Sequence, residues 1–143
     1  MDESSGYWIE ANTFNIASGT PSAGLFVRNS GSNYNQKYRN TFSNNQFGLV
    51  TYDENRGTDY YKGLKILCNT YSNNTADNWV QSTTNSPYPD YWGISPYQGV
   101  PPSLNDPDGE SAGNKFLDQP LVNLYNSLEW LNYYYHQSEN VTS

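Results

Sequence analysis

The chain has 143 residues, 35% hydrophobic and 15% charged, with 14 acidic residues against 7 basic ones and a formal net charge of −7. That length suits one domain, 1–143, with a core of its own; the acidic balance leaves no basic footprint for a phosphate backbone or an anionic membrane, so no nucleic acid and no membrane insertion are expected. The one cysteine, Cys68, excludes an internal disulfide, so packing and hydrogen bonding must carry stability.

Twenty asparagines, 14 tyrosines, 4 tryptophans and 5 phenylalanines leave few strong helix formers and favour short strands joined by many turns. The aromatic content argues for a folded chain, since disordered segments lack such residues. The start, Met1-Asp2-Glu3-Ser4-Ser5, has neither the basic residues nor the apolar run of a signal peptide, and no apolar stretch approaches the ~20 residues of a membrane span. The expectation is either that the chain is not exported or that Met1 was added to a fragment cut from a longer protein.

In chain order, the first signal is repetition. Asn12-Thr13-Phe14, Asn40-Thr41-Phe42 and Asn69-Thr70-Tyr71 recur at spacings of 28 and 29 residues, with a looser echo at Asn114-Lys115-Phe116. Ser43-Asn44-Asn45 and Ser72-Asn73-Asn74 extend the second and third units to six positions. Gly followed by an aliphatic residue recurs as Gly24-Leu25, Gly48-Leu49, Gly63-Leu64 and Gly93-Ile94. Leu25 with Val27, and Leu64 with Ile66, alternate at the strand period, which predicts one buried face.

These intervals predict a solenoid over 7–80. Each coil supplies short strands that pair in parallel with the coils above and below, burying aliphatics in a column. Asparagine is expected at the corners, tolerating left-handed backbone angles and bonding its own kind one coil away. Phe14, Phe42 and Tyr71 are expected to turn inward and stack as a ladder. Residues 81–110, with Pro101-Pro102 and Asp106-Pro107-Asp108-Gly109, read as an irregular Pro-rich excursion. Pairing resumes near Ala112 to Phe116, so 111–136 forms a final coil and cap. Leu121, Leu124, Leu128 and Leu131 fit a short helix or a final pair of strands; the Tyr133-Tyr134-Tyr135 run favours strands.

The segment Asn40-Thr41-Phe42-Ser43-Asn44-Asn45 with Gly48-Leu49-Val50, followed by Gly63-Leu64-Lys65-Ile66-Leu67-Cys68-Asn69-Thr70-Tyr71, resembles the right-handed parallel β-helix repeats of large secreted surface proteins of Bacteroidetes. Later landmarks are similar too: Gly93-Ile94-Ser95-Pro96-Tyr97-Gln98-Gly99, Ser111 to Phe116, and Tyr133-Tyr134-Tyr135-His136. The resemblance implies an all-β, right-handed parallel β-helix and an extracellular or cell-surface location. In that family further modules route the protein through type IX secretion. A structural or adhesive role is implied, although β-helices also carry polysaccharide lyases and hydrolases.

Five features hold residues that could carry chemistry. Tyr88, Tyr91, Trp92 and Tyr97, near Asp90 and Gln98, supply planar rings and polar groups suited to a shallow site for a polysaccharide or surface glycan; the alternative is that these rings pin the excursion to the solenoid flank. Asp53, Glu54, Arg56 and Asp59 pair acids with a cation, as a lyase or hydrolase needs, or form a solvated loop. Asp106-Pro107-Asp108-Gly109-Glu110 fails as a calcium loop, because the first ligand position falls on Leu104 and the closing Glu position on Lys115. His136, the one histidine, assembles neither a metal cluster nor a catalytic triad, and Cys68 reads as a small buried strand residue. No cofactor and no metal are expected.

Overall fold

The recurring asparagine units mark corners, and short strands lie between them. A computed structural model describes residues 4–16, 22–57, 62–82, 92–100, 110–118, 120–126 and 131–133, and all regular structure among them is β. The first rung carries β1 (Trp8–Glu10), β2 (Thr13–Asn15) and β3 (Ala23–Arg28). The second carries β4 (Tyr34–Tyr38), β5 (Thr41–Ser43) and β6 (Phe47–Tyr52), and the third β7 (Gly63–Leu67), β8 (Thr70–Ser72) and β9 (Ala76–Gln81). Then follow β10 (Tyr97–Val100), β11 (Glu110–Ser111), β12 (Lys115–Phe116), β13 (Val122–Asn126) and β14 (Asn132–Tyr133).

Each strand of a rung pairs in parallel with its counterpart one repeat away. The resulting sheets run β1-β4-β7, β2-β5-β8-β12 and β3-β6-β9-β13, an arrangement compatible with a β-helix-like solenoid. Where it is described, the segment that fitted a helix or strands is strand: β13 pairs with β9, and β14 with β10. Regular pairing does resume before Phe116, where β12 joins β8. The excursion is less irregular than its composition suggests, since β10 lies within it.

The expected asparagine ladder is present, and asparagine takes the expected left-handed angle at Asn29, Asn44 and Asn73, with φ of 50°, 58° and 53°, although the first ladder places other residues there. The left-handed residue is the one before each ladder asparagine: Ala11, Arg39, Cys68 and Gly113 have φ of 55°, 55°, 55° and 63°. The following Asn12, Asn40, Asn69 and Asn114 are free to point their amides along the stack. Asn69 Oδ1 accepts from the backbone N–H of Asn40 at 2.9 Å and from its Nδ2 at 3.1 Å. Asn69 Nδ2 in turn donates to Lys37 O and to Asn114 Oδ1, both at 3.1 Å. Asn12 repeats the pattern on Asn40, and a second ladder links Asn45 to Asn74. Each buried amide thereby replaces the strand pairing that a corner interrupts. Cys68 is corrected by the same geometry. Its left-handed corner turns the side chain outward, and it is exposed rather than buried.

Inside the corner the aromatic ladder forms as expected and gains a fourth member. Phe14, Phe42, Tyr71 and Phe116 stack at centroid distances of 4.9, 5.1 and 5.3 Å, within 16° of parallel. The rings account for the first two Gly-aliphatic units, whereas Gly63 has φ 85° and faces the backbone of Asn55–Gly57. A Cβ on Gly24 would stand 3.1 Å from Phe42 Cδ1, and one on Gly48 3.0 Å from Tyr71 Cδ1. Beside them the aliphatic column of Val27, Leu49, Leu64, Ile66 and Val80 is buried.

The third rung departs from this pattern. Register aligns Asn78 with Leu49 and Leu25, and the stacked ring is tyrosine rather than phenylalanine. The two changes compensate each other: the buried Tyr71 hydroxyl donates to Asn78 Oδ1 at 2.7 Å. The neighbouring Asp77 is also buried and accepts from Asn74 Nδ2 at 3.0 Å. A second polar intrusion sits in β4, where fully buried Lys37 lies in register between Ile9 and Ile66 with its ammonium 4.0 Å from the centre of the Tyr7 ring.

Candidate functional site

Strand β10 does not pair with β7 along its backbone, and a groove opens where the two diverge. The Gln98 side chain bridges the gap, accepting from Ile66 N–H at 2.7 Å and donating to the carbonyls of Leu64 and Ser95. Past β10 the chain returns antiparallel as β11, then rejoins the corner, where Cys68 N–H donates to Ala112 O at 2.7 Å. The ladder interval shows this insertion directly, since Asn69 and Asn114 are 45 residues apart against 29 for Asn40 and Asn69.

The floor of the groove is the outer face of the β1-β4-β7 sheet, and β10 with β11 forms a wall. The groove encloses about 370 Å³. Parallel register lays two rows across the floor, Trp8-Gln36-Lys65 and Glu10-Tyr38-Leu67, because alternate residues of each strand point outward. Tyr34 precedes these rows on β4, and Gly99, Val100, Glu110, Ser111 and Cys68 complete the lining. The Trp8 and Tyr34 rings meet edge to face at 65° with centroids 6.4 Å apart, and Trp8 keeps 64% of its surface exposed. Tyr34 Oη donates to Gln36 Oε1 at 3.1 Å, which fixes both side chains.

The groove is polar as well as aromatic. Burial holds the Lys65 ammonium below its usual pKa, an effect that Glu110 partly offsets. Burial also raises the Tyr34 hydroxyl, with the Glu110 carboxylate adding to it. Glu10 and Glu110 are exposed. Flat apolar rings beside carboxylates, an amide and a hydroxyl can stack on a sugar ring and bond its hydroxyls.

Sequence reasoning placed the candidate site elsewhere. Tyr88 and Tyr91 lie outside the described residues. Trp92 is half-buried and bridges Glu54, and Tyr97 opens β10 opposite Asn132; neither lines the groove. Gln98, expected to meet a ligand, is buried and holds β10 to β7. In the acidic loop, Asp53 is buried and salt-bridged to Arg28 at 3.1 Å, while Arg56 donates to the Ile94 carbonyl. Asp59, Asp106, Asp108 and His136 lie outside the described residues. Among the described residues, no three His, Cys, Asp or Glu side chains group as metal ligands. What sequence reasoning missed is the outward face of β1 and β4, which carries Trp8, Tyr34 and Tyr38.

Comparison with family models, with curated proteins and with solved structures gives no match in any of the three.

Proposed function

We propose that the strands close into a right-handed parallel β-helix that serves as a non-enzymatic adhesive module of a secreted cell-surface protein, holding a glycan in the groove on its β1-β4-β7 face. The observation that carries this reading is the aromatic and polar floor, where exposed Trp8 and Tyr34 stand beside Gln36, Glu10 and Glu110. Stacking on rings already held by the sheet costs little ordering entropy, which suits a shallow site of modest affinity. The surface location is supported by the likeness of the 40–50 and 63–71 repeats to Bacteroidetes β-helix coils. The lyase or hydrolase alternative draws less support, since Asp53 is already engaged by Arg28 and Arg56 by a carbonyl.

Cys68 gives the test a built-in reporter, being the chain's one cysteine, exposed, and part of the groove lining. A panel of β-linked oligosaccharides should slow its reaction with a maleimide and shift tryptophan emission. Trp8→Ala and Tyr34→Ala should abolish both effects, while Trp92→Ala leaves them intact. Unslowed Cys68 labelling across the panel, or binding lost only in the Trp92 variant, would overturn this site.

A further inference from the structure

The charge pattern of the groove goes further and, resting on the glycan reading above, narrows the ligand. Three charged side chains line it: Glu10, Glu110 and Lys65. The two carboxylates are exposed, one on the β1 side of the floor and one on the β11 wall, whereas the Lys65 side chain is buried, leaving the residue only 5% exposed. Neither glutamate makes a salt bridge among the described residues; the ion pair there joins Arg28 to Asp53, away from the groove. One further cation is close, since the Arg39 guanidinium lies 4.8 Å from the centre of the Tyr38 ring, but Arg39 is not part of the lining. Anything entering the groove therefore meets two solvated carboxylates across aromatic rings, on a chain whose net charge is −7.

We infer that the groove selects a glycan bearing free amino groups, of the glucosamine type, and rejects polyuronates. An ammonium on the sugar ring can approach Glu10 or Glu110 while an apolar ring face stacks on Trp8 or Tyr34, combining charge attraction with aromatic contact. A uronate at the same place would set carboxylate against carboxylate. Exposed charge pairs are individually weak, so the preference comes from two of them together and fades as salt screens both.

The experiment compares three oligosaccharides of equal length on the intact chain: a β-1,4-linked glucosamine oligomer, its fully N-acetylated counterpart, and an oligogalacturonate. Affinity is read by protection of Cys68 from maleimide. At low salt the amino oligomer should bind about five- to tenfold tighter than the N-acetylated one, and the uronate should not bind. The preference should disappear at about 0.5 M salt and in Glu10→Gln/Glu110→Gln, which should still bind the N-acetylated oligomer. Equal affinity for amino and acetylated forms, or binding of the uronate, would overturn the selectivity while the glycan site stood. Absence of protection by all three would overturn the glycan reading itself.

Discussion

The third rung offers the sharpest test of how this core is built, because it replaces an apolar pair with a hydrogen-bonded one. Tyr71 and Asn78 occupy the places that Phe42 and Leu49 hold one rung below, and their 2.7 Å bond is buried at both ends. Tyr71→Phe leaves Asn78 Oδ1 without its donor, and Asn78→Leu leaves the hydroxyl without its acceptor. Each should cost about 1–3 kcal/mol, the penalty of an orphaned buried polar group rather than the smaller net value of the bond. Asn78→Leu also removes a 3.3 Å bond to Asn123 O, adding about 1 kcal/mol. The double variant restores the Phe and Leu of the lower rungs, so the two penalties should not add. We expect it within about 1 kcal/mol of the parent, which makes the coupling in the double-mutant cycle about 2–6 kcal/mol, the sum of the two orphaning penalties. Urea unfolding followed by tryptophan fluorescence and by circular dichroism measures all four corners of the cycle. Additive losses would refute the claim that tyrosine and asparagine compensate each other here.

Other perturbations probe the ladders and the buried charges. Asn69→Ala removes both acceptor and donor roles of an interior ladder amide and should destabilise by more than about 3 kcal/mol, while Asn12→Ala at the ladder's exposed end should cost under about 1 kcal/mol; equal losses by urea titration would refute the ladder's role. Gly48→Ala drives a Cβ to 2.7 Å from Asp77 O and 3.0 Å from the Tyr71 ring, and a drop of about 1–3 kcal/mol in the same assay is expected. Burial raises the Asp77 carboxyl to about 6, with Asn74 opposing and Asp118 reinforcing the shift, so the fold is favoured below pH ~4 and loses that contribution as pH rises through about 6. Asp77→Asn should flatten this slope in melting curves taken from pH 4 to 7. Burial lowers the Lys37 ammonium to about 7, so stability should rise as pH climbs from about 7 toward 10.5. Lys37→Met should remove that rise and stabilise the protein at pH 7 by on the order of 2 kcal/mol, and unchanged melting would count against a buried amine as a cost.

The repeats were legible because they solve one problem four times. Every corner needs an amide to continue the hydrogen-bond ladder and a ring to fill the space inside it, and the first two rungs also need no Cβ where Gly24 and Gly48 face that ring. Those demands fall on residue type, so spacing alone revealed them. The left-handed corner position was legible where asparagine fills it, at Asn29, Asn44 and Asn73, but not where Ala11, Arg39 and Cys68 do, because these three share no side-chain chemistry. Their φ is imposed by the asparagine that follows and by the strands on either side. Cys68 was misread for that reason: the strand alternation that buries Leu64 and Ile66 stops one residue short of it.

The groove escaped sequence reading for a different reason. Its rings belong to different rungs and come together only through parallel register, with Trp8 beside Gln36 and Glu10 beside Tyr38. An inward column is visible as alternation within one strand, whereas an outward row is a relation between strands. The insertion between Asn69 and Asn114 then decides what that row becomes. With no insertion, a fourth strand could pair with β7 and continue a flat sheet face; with it, β10 is held off by the Gln98 amide and β11 rises beside the floor. Strands β10 and β11 thus shape the groove, and the rings proposed to touch a ligand lie on the regular repeats beneath. Shortening the excursion between Val100 and Glu110 should therefore alter affinity without removing Trp8 or Tyr34, whereas substitutions at Trp8 or Tyr34 should abolish binding with the excursion intact.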